Sequence, residues 1–295
     1  MTLLEQVLTG GAPAHLVVIR HALAASPWPL VRAMLSNGPV LAITLLPPSP
    51  EIPGKVLDLS GAVPGYSERD VEAEIMHAVA DLAPGTQVLL DAADVLVEDH
   101  PRAWRILRAL ISATARPGSR FILPVPSSSP VTDDVLSASF SSSLALLTPL
   151  PPRLVQSTID TYLLTDPDRL PFLLESAADR GAADLPVLRD METPSPDAVV
   201  LVLLRKATGG AKGIQRSVEG FRAHPVPVED MVNFRPVAVT KVTTHADLNL
   251  PFNLSLTEQQ REARGAVPLP YAHEGEGADL GMGMDWSDDE EDEEI

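Results

Sequence analysis

The stretch TQVLLDAADVL (86–96) decides the fold. Three consecutive apolar residues, Val88, Leu89 and Leu90, end in Asp91. An apolar run without polar alternation reads as a short strand covered on both faces, as in a parallel sheet between helices. In nucleotide-driven proteins with such a sheet, a carboxylate at this place helps to hold Mg²⁺ beside a phosphate. The alternative is a buried strand whose last residue turns polar as it leaves the core. The stretch alone fits both.

Working outward, HLVVI (15–19), PVLAITLL (39–46), KVLDLS (55–60) and RFILPVP (120–126) read as further strands. Helix-sized segments separate them. ALAASPWPLVRAML (22–35) is a helix interrupted by Pro27 and Pro29, and Ser67 is a fitting N-cap for the helix ERDVEAEIMHAVADL (68–82). HPRAWRILRALISATA (100–115) is the next helix. Such alternation predicts an α/β fold, a mostly parallel sheet with helices on both faces. A Ser/Pro-rich stretch, PSSSPVTDDVLSASFSSS (126–143), reads as a long mobile loop around one short helix. LALLTPLP (144–151) is another strand, whereas 165–197 is rich in Pro and Asp and poorly patterned. AVVLVLLRK (198–206) and IQRSVEGFR (214–222), joined through ATGGAKG, form an antiparallel hairpin at the sheet edge. PVAVTKV (236–242) is a candidate final strand. There is no internal repeat.

The chain has 295 residues and no cysteine, which excludes disulfides, thiolate zinc sites and cysteine nucleophiles. Its N-terminus lacks the basic region of a secretory signal, and no apolar run reaches the roughly 20 residues of a membrane helix. A soluble protein with no membrane partner is expected, in the cytoplasm and with the nucleus as a further location. The net charge of −18 is unevenly spread. Residues 274–295 hold eleven acids and no Lys or Arg, leaving 29 acids against 22 basic residues elsewhere, a net −7. With only four lysines in the chain, an RNA site would be local and built on arginine.

A P-loop needs glycines whose N–H groups surround phosphate, a lysine for its charge and a hydroxyl for Mg²⁺. The place after the first strand is taken by RHALAASPWP (20–29), which has neither glycine nor lysine. GGAKG (209–213) lacks the spacing, and Lys55 opens a strand rather than a helix. HExxH, GxSxG and GxGxxG motifs are all missing, so no catalytic, metal or cofactor residue is assigned. Asp91 and Asp94 make a pair that suits either a cation or a strand end. Arg102, Arg105 and Arg108 share one side of a helix and suit either an RNA backbone or a solvated face. The densest basic cluster is Arg205, Lys206, Lys212 and Arg216 on the hairpin, the candidate RNA contacts.

Near the C-terminus, LPFNLSLTEQQREARGAVPLPY (250–271) precedes the acidic DWSDDEEDEEI (285–295). Phe252, Leu254 and Leu256 alternate with polar residues, as do Val267, Leu269 and Tyr271 with their neighbours, so an extended segment presents apolar faces for docking. Thr257 with Gln260 makes a capping-box pattern, and Gly265 can end the short helix. Phe252, Asn253, Leu254, Thr257, Gln260, Arg261, Val267, Leu269, Pro270 and Tyr271 together resemble the signature of the fifth-subunit family of the Elongator complex. The resemblance implies a RecA-like fold without a P-loop, and a structural rather than enzymatic role. It implies partnership with the related fourth and sixth subunits in a heterohexameric ring, and with the core Elongator subunits. Such a ring binds tRNA and supports wobble-uridine modification carried out elsewhere in the complex. The implied division is a RecA-like domain over 1–245, a docking segment over 246–272 and a disordered acidic tail over 273–295. Two other classes stay open: a degenerate ATPase whose nucleotide site forms at an interface, and an RNA-independent scaffold.

Overall fold

The computed structural model describes residues 1–22, 24–47, 52–62, 69–179, 196–207 and 213–234. Contacts divide the chain into two units, Met1–Val237 and Ala238–Ile295. The second lies outside the described residues, as do the whole of PVAVTKV (236–242), the docking segment and the acidic tail. No described helix is long and apolar enough to cross a membrane.

The first unit is built on one nine-stranded sheet. Its strands are β1 (Leu16–His21), β2 (Val40–Thr44), β3 (Lys55–Asp58), β4 (Gln87–Leu90), β5 (Arg120–Pro126), β6 (Leu144–Leu150), β7 (Ala198–Arg205), β8 (Ile214–Arg222) and β9 (His224–Val226). They lie in the order β3-β2-β4-β5-β1-β6-β7-β8-β9. All contacts from β3 to β6 are parallel, and those from β6 to β9 are antiparallel. The mostly parallel α/β sheet with an antiparallel edge is therefore present. β4, the opening stretch, lies between β2 and β5, separated from β1 by β5.

The unbroken apolar runs follow from burial on both faces. In β4, Val88 and Leu90 enter one core with Leu16, Val18, Phe121 and Leu123, whereas Leu89 enters the other with Val17, Ile19 and Ile122. On the first face lie α3 (Val71–Ala80), α4 (His100–Thr114) and α5 (Val131–Leu136). On the second lie α1 (Leu3–Thr9) and α2 (Trp28–Leu35). A third core forms where α6 (Pro152–Tyr162) and α7 (Leu170–Asp179) cover β7 through Val155, Ile159, Leu170 and Leu174.

Several local expectations shift. α2 begins only at Trp28, because Pro27 and Pro29 suit a first turn and not a helix interior. α3 starts at Val71, with Asp70 as its N-cap accepting from Glu72 and Ala73 N–H; Ser67 lies outside the described residues. Within the poorly patterned 165–197, α7 is helical, and α6 and β9 add elements that the sequence reading did not contain. The Ser/Pro-rich stretch is held at three points, by the Trp104–Phe140 edge-to-face pair (centroids 4.6 Å apart), by buried Ser129 and Thr132, and by Arg205. At Gly54 (φ +89) a Cβ would stand 2.7 Å from the Val40 carbonyl oxygen, so the turn into β3 requires glycine.

Candidate functional site

At the C-terminal end of β4 the carboxylate of Asp91 is turned onto the protein's own backbone. One oxygen accepts from the Leu45 N–H (2.8 Å) and the other from the Leu46 N–H (3.2 Å). Asp91 therefore closes the two donors left where β2 ends. Partial burial pushes its pKa up, opposed by the backbone donors. Nearby His21 ends β1, and burial pushes its imidazole down while Asp94 pulls it up. Asp94 itself is exposed. The β1–α2 connection contributes no glycine and no lysine. These residues do not fit a triphosphate and its metal. No group of three or more metal-ligating side chains occurs among the described residues.

The hairpin arginines do different things. Arg205, at the end of β7, donates to the carbonyls of Leu136 (2.8 Å), Ser137 (3.1 Å) and Ser141 (2.6 Å). Its guanidinium anchors the Ser-rich loop and has little left for an RNA phosphate. Lys206 is half-buried, and its N–H donates to the Gly213 carbonyl across the hairpin. Arg216 is exposed on β8. Lys212 lies outside the described residues, as do Phe252, Leu254, Leu256, Val267, Leu269 and Tyr271. On α4, Arg102 pairs with Asp70 (2.8 Å) and Arg105 with Glu72 (3.0 Å), so this arginine row ties α4 to the start of α3. Hydrogen bonds from Arg105 hold the Glu72 carboxyl below its usual range.

A second region was not singled out in the sequence. Arg216 pairs with Leu203, Leu203 with Leu146 and Leu146 with Val18 across three ladders, which sets Arg216 on the sheet face carrying Val18 and Arg20. On that face the α3–α5 layer covers one flank and α6–α7 the other, leaving a cleft floored by Leu146, Leu201 and Leu203. Its inner part, about 20 Å³, is lined by Arg20, Thr148, Arg216 and Ser217 as polar groups. It shares Pro171, Arg216 and Ser217 with an outer part of about 560 Å³, walled by Phe172, Ile214, Val228 and Glu229. Phe172 is 68% exposed and Ile214 38%, so the outer wall presents apolar surface to solvent. The signal for Arg20 was available: strand alternation places it inward with Leu16 and Val18, where a charge is unusual.

No protein-family model matches the sequence, and no curated protein matches it. Solved structures do. The chain is similar to a KaiC-like protein, PH0186, of the hyperthermophilic archaeon Pyrococcus horikoshii at 9% identity and a TM-score of 0.42, with 74% of this chain and 92% of that one covered. It is also similar to the flagellar accessory protein FlaH of Methanocaldococcus jannaschii at 11% identity and a TM-score of 0.39, over 75% and 91% of the two chains. A DnaB-like replicative helicase, described with its interactions with primase, matches at 11% identity and 0.36, over 72% and 57%.

Proposed function

We propose that this chain is a non-catalytic, RecA-like subunit of the Elongator accessory ring. It takes its place beside the related fourth and sixth subunits in a heterohexamer that binds tRNA and supports wobble-uridine modification. The observation that carries the non-catalytic part is the end of β4, where both oxygens of Asp91 are taken by the Leu45 and Leu46 N–H groups. A carboxylate engaged in this way closes a strand end, with one acceptor site of each oxygen committed to backbone. The Elongator part rests on the sequence motif over 250–271, with Phe252, Leu254, Leu256, Val267, Leu269 and Tyr271 as docking residues. Lys206, Lys212 and Arg216 are the remaining hairpin candidates for tRNA contact within the ring.

Co-expression with the fourth and sixth subunits tests this reading. A stable complex of all three is expected, weakened by the pair Phe252→Ala and Leu254→Ala, with tRNA bound far better by the ring than by the lone chain. Charge reversal at Arg216 should flatten the salt dependence of ring–tRNA binding, because each lost phosphate contact removes counterion release. Phosphate release by the isolated chain should stay at background. Turnover by the lone chain, abolished by Asp91→Ala, would establish the degenerate-ATPase alternative instead; copurification without either paralogue would establish the scaffold.

A further inference from the structure

We infer that the cleft between the α3–α5 and α6–α7 layers binds a nucleotide unit, its phosphate between Arg20 and Arg216 and its base against Phe172. Arg20 is half-buried on the central strand β1, and no described residue gives its guanidinium a hydrogen bond or ion pair. A cation held inward without a protein acceptor is costly unless solvent or an anion completes it. Arg216 stands on β8, three strands away and two residues out of line, a separation of roughly 16 Å at 4.7–4.9 Å per strand and about 3.3 Å per residue. Two long side chains close such a gap between them, and both line the same inner cavity.

The size of that cavity selects how a ligand enters. About 20 Å³ admits one water-sized group, so a single oxygen of an oxyanion reaches Arg20 while the rest stays over Arg216 in the outer cleft. Thr148 adds a hydroxyl donor to the same cavity, whereas the Ser217 hydroxyl turns to the other face and donates to Glu219 (2.7 Å); paired guanidiniums with a hydroxyl suit phosphate. Beyond Arg216 the outer cleft, about 560 Å³, is large enough for a sugar and a base. Phe172 offers an exposed ring for stacking, and Glu229 on the same wall offers an acceptor for a ribose hydroxyl or an exocyclic amine. Phosphate donors, an aromatic face and a carboxylate within one cleft match a nucleoside monophosphate, whether free or as one unit of a single-stranded RNA.

This inference goes beyond the ring reading and does not rest on it. It is tested on the lone full-length chain, so a chain that binds nucleotide yet never joins the ring keeps this inference and ends the other. Calorimetric titration with adenosine monophosphate, adenosine and inorganic phosphate reads each part of the site. The monophosphate should bind saturably and about tenfold or more tighter than either fragment. Arg216→Gln, on an exposed strand position, should cost about tenfold for the monophosphate and leave adenosine unchanged. Phe172→Ala should cost about tenfold for the monophosphate and for adenosine, and nothing for phosphate. Arg20→Met should abolish phosphate binding, with an unchanged melting curve checking that the variant folds. A six-residue adenosine RNA separates the two sources. Phe172-dependent binding tighter than the monophosphate assigns an RNA strand, and loss of that dependence assigns the free nucleotide; both support the site. Absence of saturable monophosphate binding at millimolar concentration overturns the inference, as does wild-type affinity in both Arg216→Gln and Phe172→Ala.

Discussion

The two flanks of the sheet tie their charges to the protein alike but differ in the surface they leave open. On the parallel flank, β3 to β5, charged groups close on the protein itself. Asp91 accepts the end of β2, Arg102 and Arg105 hold the acids that open α3, and Arg120 is buried against α1. On the antiparallel flank, β6 to β9, Arg205 serves the Ser-rich loop and Arg222 pairs with Asp197 (3.0 Å), yet the cleft beside Arg216 also holds Phe172 and Ile214, which expose most or much of their apolar surface. The open surface therefore lies on the antiparallel flank, where a cleft exposes Phe172 and Ile214. At the end of β4 the carboxylate that the layout singles out is hydrogen-bonded to the end of β2.

Arg120 gives the sharpest way to break that contrast. It is 4% exposed, donates to Gln87 Oε1 at 2.7 Å and to the Val7 and Leu8 carbonyls ending α1, and burial lowers its pKa to about 10. Arg120→Met should cost about 2–3 kcal/mol in urea unfolding, because several buried acceptors lose a donor worth roughly 1 kcal/mol each. A loss below about 0.5 kcal/mol would show that this flank does not depend on its internal charges. Next in size, Asp91→Ala frees two N–H groups and should cost about 1–2 kcal/mol, with no change in background phosphate release.

The pH dependence sharpens the same flank with two opposite signs. Asp91 has its pKa raised by burial, so its favourable contribution is greatest in acid and falls as pH rises through the raised value. Glu72 has its pKa lowered by the Arg105 hydrogen bonds, so its contribution is present above the ordinary carboxylate range and is lost as pH falls through the lowered value. Melting curves across pH for Asp91→Asn and Glu72→Gln should therefore diverge from wild type at opposite ends; parallel offsets would contradict both assignments. The smallest effect is expected on the other flank. Phe172→Ala, at 68% exposure, should leave stability within about 0.5 kcal/mol of wild type. A large loss would mean that the ring belongs to the fold and not to a binding surface.

What the sequence disclosed follows from what each residue touches. The strands were legible because both faces are covered, which writes burial as runs such as Val88–Leu90 and 198–204. The helix α6 was missed because Ser157, Thr158 and Thr161 dilute its pattern and are weak helix formers, although Leu154, Val155, Thr158 and Ile159 form its buried face. Ser67 and Asp70 are equally good caps in isolation; Val71, Ile75 and Val79, spaced by four, select the later start. The role of Asp91 was unreadable locally, since its partners are 46 and 45 residues away on another strand. Arg205 was read as a free cation for the same reason: the carbonyls that it serves lie more than sixty residues earlier.

The two ends of the described sheet carry a further consequence, for self-association. β3 is four residues long, opens with Lys55, and has its Asp58 carbonyl taken by Arg69 (3.1 Å). β9 is three residues long and includes Pro225, which has no N–H to donate. Short strands bearing a lysine, an occupied carbonyl or a proline are poor templates for a foreign strand, and they protect against edge-to-edge aggregation. At these two ends the described sheet is a poor ladder to extend, which favours side-chain surfaces, where matching shape and charge select a neighbour.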